Sequence, residues 1–227
     1  MSDSASGLGD DERVTVLDDR LEAFHQDFKV TYLARLAWSS GADWVVPVDA
    51  DERWMGAAGT LHETLSGART NVIRAAIHNV YPSEEAGAAD SAVARWRVDL
   101  APHPTFHVAF RAHPLAKVSN GSHDVRRPQP SVDDGLHLLH FPWRSREQLA
   151  RKVAKGALAL GAADLGPNVD GHWFTMAQAD PDTFDAIWRE ISGGPVTDLD
   201  FGYKPIGPFM PLATTTPRAW YEVLDSA

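Results

Sequence analysis

Gly41-Ala-Asp-Trp44-Val-Val-Pro47-Val48-Asp49-Ala-Asp51-Glu52-Arg-Trp54 is the most informative run of the chain. Its apolar half, Trp44–Val48, reads as a buried strand, and Pro47, which cannot donate to a ladder, pushes that strand toward an edge or a bulge. The acidic half follows at once. Side chains two apart on an extended segment project to the same side, so Asp49 and Asp51 both face one point beyond the strand's end. Two carboxylates so placed suit a hard divalent cation, Mn²⁺ or Mg²⁺, which takes one or two of them together with phosphate oxygens and water. In an open α/β sheet the carboxyl ends of strands are also where ligands bind.

Outward from this run the pattern alternates. Upstream, Val14–Leu17 is a short β-like stretch, and Phe24, Phe28, Tyr32, Leu33, Leu36 and Ala37 recur at helical spacing up to Trp38, with Gly41 as the exit. Downstream, a helix over Ala58–Leu65 closed by Gly67 precedes Asn71–His78, whose β-branched content favours a strand. The order β, α, β, α, β predicts an α/β protein with a mixed, mostly parallel sheet flanked by helices. Residues 82–93 are small and polar and read as a surface loop. Phe106–Phe110 and Gly135–His140 read as further strands added antiparallel, separated by the turn at Asn120-Gly121. Ser145 and Gln148 form a capping-box pattern ahead of Leu149, Val153, Ala157 and Leu158, and Arg146, Arg151, Lys152 and Lys155 make this helix the most basic part of the chain. A helix over Pro181–Ile191 and a Pro-rich end after Lys204 complete the reading.

Composition narrows the function classes. At 227 residues the chain is one domain with an extension, here residues 13–227 behind a disordered tail at 1–12 that has almost nothing to bury. The absence of cysteine excludes disulfides and thiolate catalysis. A net charge of -10 argues against nucleic acid or an anionic membrane as a generic partner. No apolar stretch approaches the roughly 20 residues of a spanning helix and the first residues are acidic, so a cytoplasmic protein is expected.

Gly41–Trp54 resembles the metal-strand signature of the family 2-like glycosyltransferases, whose catalytic domain has the A-type nucleotide-diphosphosugar transferase fold. Two further blocks stand in the family's order: Lys117-Val-Ser-Asn-Gly-Ser-His123-Asp124, and His140-Phe-Pro-Trp-Arg144-Ser-Arg-Glu-Gln-Leu-Ala-Arg-Lys152. The resemblance covers about residues 14 to 155. It implies a metal-dependent transfer of a sugar from a nucleotide-diphosphate sugar to a hydroxyl of a glycan, lipid or small molecule. Asp49 and Asp51 would hold Mn²⁺ or Mg²⁺ against the diphosphate, and His140, leaving a strand just before the basic helix, would complete the metal shell. Arg144 and Lys152 match positions that would lend positive charge to the diphosphate. His123 or Asp124 would serve as the base for the acceptor hydroxyl or position it. Glu52 and Trp54 belong to the matched block, Trp54 either stacking on a sugar or packing in the core. His103 and His107 are four apart, but Pro104 and the strand-like context exclude a helical zinc motif.

In the family, the strand and helix that bind the nucleotide base and ribose precede the counterpart of Val14–Leu17, and here only 13 residues do. The resemblance therefore implies a truncated form of the fold, with an exposed sheet edge and a homo-oligomer as the expectation. Two other readings stand beside the transferase: a catalytically inactive interaction module on the same fold, and a metal-dependent phosphohydrolase using the same carboxylates.

Overall fold

The computed structural model describes residues 13–20, 23, 25–56, 59–83, 96–162 and 172–212. The tail expected at 1–12, nearly all of the loop expected at 82–93 and the start of the helix expected at Ala58 lie outside them. Helix α1 (Gln26–Ser39) ends as its sequence requires: Gly41 takes φ +87°, its amide donates to Trp38 O and the Ala42 amide to Ala37 O, both at 3.0 Å. These two bonds satisfy carbonyls that the last turn leaves open. The helix lays Ala34 and Val30 on a cluster with Val72, Val108, Phe110, Val118 and Val125. Val14–Leu17 forms no strand; Val16 and Leu17 are exposed, and β-propensity without a partner does not hold a ladder.

Strand β1 (Trp44–Val45) is shorter than expected and only half-buried, since Pro47 ends the ladder. The chain reaches β2 (Glu52–Gly56), α2 (Leu61–Gly67), β3 (Val72–Pro82), β4 (Trp96–Asp99), β5 (Phe106–Arg111), the β6–β7 hairpin (Lys117–Val118 and Val125–Arg126) and β8 (Val132–His140). Helices α3 (Arg146–Ala162), α4 (His172–Ala177) and α5 (Pro181–Ile191) and the short β9 (Phe209–Pro211) follow. Thr60 caps α2 with a complete capping box: its hydroxyl accepts from the Glu63 amide at 3.1 Å, and its own amide donates to Glu63 Oε2 at 2.8 Å. Ser145 caps α3 by accepting from the Gln148 amide at 3.1 Å, but the Gln148 side chain reaches past it to accept from the Arg144 amide, also at 3.1 Å.

Strand β3 is the buried centre of a mixed sheet. It pairs in parallel with β8 on one side, and on the other antiparallel with β5 along Val72–Ala76 and with β4 along Val80–Pro82. β4 and β5 thus form one antiparallel neighbour of β3, broken where Pro102 and Pro104 remove donors; the His103 amide still bridges the gap to Ile77 O at 2.8 Å. β2 adds antiparallel to β8, β1 to β5, and β9 to β4. Among the described strands β3–β8 is the one parallel pair, which corrects the mostly parallel sheet expected from the alternating element order. The reason is the short α2 connection: β2 and β3 are separated by β8 instead of joined as parallel neighbours. β8, expected to add antiparallel, supplies that parallel pairing itself.

Helices α3 and α5 pack over Tyr81 of β3, with Trp143, Met176 and Phe201 filling the space between. The close approach of α4 to α3 depends on Gly156, where a Cβ would stand 2.9 Å from the Trp173 ring. Behind the sheet, the buried Asp99 carboxylate accepts from the amides of Ala101 at 3.0 Å, Ile206 at 2.6 Å and Gly207 at 3.0 Å. It ties the segment before β9 to β4.

Two outcomes follow for stability. Asp99→Ala leaves three backbone donors without their acceptor, and a loss of about 2–3 kcal/mol is expected in urea unfolding. Acid sensitivity begins above the carboxylate range. His78 is buried, and that burial lowers its pKa below the ordinary histidine value against the opposing pull of Asp99 O, 3.1 Å from Nδ1. An unfolded His78 binds a proton near pH 6.5 that the folded one refuses, so its contribution is full above that pH and is lost as pH falls toward its folded pKa. The urea midpoint should therefore already decline as pH falls below about 6.5, and His78→Gln should make that decline shallower.

Candidate active site

Because β1 pairs with β5 and β2 with β8, residues 46–51 carry the chain from one side of β3 to the other. They form one wall of a cleft of about 490 Å³. Asp49 and Asp51 sit on this crossing and Glu52 is the first residue of β2. Glu52, His140 and Asn79 share one row across β2, β8 and β3. From the helical side come Lys152 of α3 and Trp173 of α4, while His107 of β5, His123 in the β6–β7 connection and Tyr203 close the remaining sides.

Two of the three carboxylates find different partners. Asp51 Oδ2 accepts from Lys152 Nζ at 2.7 Å. That ammonium also donates to Pro142 O at 3.4 Å and lies 5.3 Å from the centre of the Trp143 ring. Burial pushes the Asp51 pKa up, but the Lys152 charge and hydrogen bond outweigh it and the carboxyl ends below its ordinary value. Glu52, with its side chain 2% exposed, accepts at Oε2 from the Asp49 amide and from Trp54 Nε1–H, both at 3.1 Å. Its Oε1 lies 3.0 Å from His107 Nδ1, although the N–H direction is out of line for a hydrogen bond. Burial again raises the Glu52 pKa, and His107 with the two donors more than compensates. Asp49 has no comparable partner. Although the residue is exposed to solvent, partial desolvation of its carboxyl, then repulsion from Glu52 and Asp51, raises its pKa.

His140 is buried and its pKa falls to about 4, with burial the largest cause. The ring is therefore neutral at neutral pH, and its approach to Asp51 Oδ2, 3.9 Å from Nε2, is not an ion pair. Nδ1 stands 2.9 Å from Asn79 Oδ1; with that oxygen accepting, the proton is on Nδ1 and the Nε2 lone pair faces Asp51.

Of the residues singled out in the sequence, Asp49, Asp51, His123, His140 and Lys152 all line this cleft, whereas Asp124 and Arg144 do not. Asp124 is exposed, and it is its backbone that closes the turn, with its amide donating to Ser119 Oγ and its carbonyl accepting from the Ser119 amide, both at 2.9 Å. Arg144 is exposed ahead of α3, where its amide serves the helix cap. His123 Nδ1 donates to Phe106 O at 2.8 Å, and its Nε2 is 2.3 Å from where a Cβ on Gly121 would stand, so the ring lies against that glycine. The sequence reading gave no role to His107, Trp173 or Tyr203. The Glu52–Trp54 hydrogen bond was accessible to it, because residues two apart on a strand share a face.

The oxygen and nitrogen donors expected to act together, Asp49, Asp51 and His140, share the cleft, with Asp51 already paired to Lys152. Among the described residues, however, no three His, Asp or Glu side chains are grouped to hold a metal ion. Also among the described residues, no helix is long and apolar enough to cross a membrane. Comparison of the chain with protein-family models, with curated proteins and with solved structures finds no match.

Proposed function

We propose that the chain is a glycosyltransferase-like protein moving a sugar from a nucleotide-diphosphate sugar to a hydroxyl acceptor. The observation that carries this reading is the meeting, in one cleft, of five residues chosen from three separate sequence blocks: Asp49, Asp51, His123, His140 and Lys152. Asp49 and Asp51, with His140 beside them, would hold Mn²⁺ or Mg²⁺, which would neutralise charge developing on the leaving diphosphate. Lys152 binds and orients that diphosphate when drawn from Asp51, and Asn79 keeps the His140 proton on Nδ1. The wall of Trp173 and Tyr203 offers apolar ring faces to a sugar. Carboxylates outnumber cations on the crossing, so an anionic donor enters favourably only together with a cation.

The ion pair between Asp51 and Lys152 favours a second reading, a binding module that keeps the fold without transfer. Turnover of a nucleotide sugar by the purified chain excludes it.

Calorimetry with nucleoside diphosphates tests the leading reading. Binding is expected to need Mn²⁺ or Mg²⁺ and to weaken about tenfold or more in Asp51→Ala, equivalent to about 1.4 kcal/mol. Binding unaffected by chelator, or unchanged when both Asp49 and Asp51 are replaced by Ala, overturns it. Lys152→Met should reduce diphosphate affinity while raising affinity for Mn²⁺ alone, because it removes the cation already resident on Asp51; melting curves verify that each variant is folded.

A further inference from the structure

We infer that His107, held against Glu52, is the base that takes the proton of the acceptor hydroxyl. The inference rests on the transferase reading and adds to it a catalytic residue that the sequence reading did not select. Four histidines line the cleft, and the structure separates them; His172 packs its ring against Trp173 and Tyr203, at 4.9 and 6.3 Å between ring centres. His140 has Nδ1 on Asn79 and turns Nε2 to Asp51. His123 donates from Nδ1 to Phe106 O and packs its Nε2 edge against Gly121. His107 is 9% exposed and lines the cleft, and its Nδ1 stands 3.0 Å from a carboxylate oxygen.

That carboxylate is itself fixed. Glu52 Oε2 is occupied by the Asp49 amide and the Trp54 indole, which leaves Oε1 to the imidazole. A carboxylate at one ring nitrogen stabilises the imidazolium formed when the other nitrogen accepts a proton. The contact is out of line for a hydrogen bond here, and catalytic hydrogen bonds of this kind tighten when substrate binds. His107 Nε2 takes the hydroxyl proton as the acceptor oxygen bonds to the anomeric carbon. The bond from that carbon to the diphosphate oxygen breaks, and its electron pair leaves with the diphosphate. The imidazolium then returns its proton to solvent. Glu52 acts through His107 and is a positioning residue. The charged and titratable groups around the ring are Glu52 of β2, Asp49 of the crossing, His123 beside it at 5.1 Å between ring centres, His103 before β5 and His140 of β8.

Two measurements on the full chain test this. Carbethoxylation by diethyl pyrocarbonate, mapped by mass spectrometry, needs no substrate. His107 should be labelled faster than His123 or His140, and Glu52→Gln should change its rate severalfold while leaving His123 unchanged. Slower labelling of His107 than of His123 or His140 overturns the inference, whether or not transfer is ever observed. With UDP-glucose as probe, release of UDP should fall about a hundredfold or more in His107→Gln. Glu52→Gln should lower kcat with little change in KM. A His107→Gln enzyme with unaltered kcat overturns the assignment of the base. If wild-type chain turns over no nucleotide sugar, that result counts against the transferase reading, and the labelling order still decides whether His107 is the activated imidazole.

Discussion

Three carboxylates within four residues, Asp49, Asp51 and Glu52, are carried past the end of a buried sheet, and each must find compensation there. Carboxylates taken out of water are costly unless paired or hydrogen-bonded. The crossing segment supplies part of the remedy through its own Asp49 amide and the Trp54 indole. The rest comes from distant parts of the chain: Lys152 from α3 and His107 from β5. The cleft is the place where those elements are required to meet, and its chemistry is what remains after two of the three charges have been matched. Asp49 is the residual charge.

The register of the sheet makes this meeting reproducible. Glu52, His140 and Asn79 lie in one row across three strands, so the position of the imidazole follows from backbone pairing. Asp51 O accepts from the Phe141 amide at 2.8 Å, which extends the row by one bond to the residue that carries the carboxylate. Ligands placed by ladder bonds need little side-chain ordering when a substrate arrives.

Local signals were legible where they were self-contained. The exit of α1 at Gly41, the capping residue of α3 and the span of α5 are all settled within a few residues, and all were read from the sequence. Five of the seven candidate residues, Asp49, Asp51, His123, His140 and Lys152, line one cleft, while Asp124 and Arg144 lie outside it. Pairing was not legible. The antiparallel run β4–β5 is interrupted by Pro102 and Pro104, and its first half follows residues that carry no strand pattern. β2, written Glu-Arg-Trp-Met-Gly, has too few apolar residues to announce itself. His107 was passed over because its significance comes from Glu52, a residue 55 positions away in sequence that only the sheet brings near.

Tyr203, one wall of the cleft, belongs to the segment that Asp99 holds to β4 through the amides of Ile206 and Gly207. The Tyr203 carbonyl in turn accepts from the Tyr81 hydroxyl at 3.1 Å and the Trp143 indole at 3.4 Å. A strap anchored at both ends to the sheet interior cannot swing away as an independent flap. Amide hydrogen exchange along residues 203–207 would then share the slow protection of β4, and the aromatic side of the cavity would open only when the far edge of the sheet lets go.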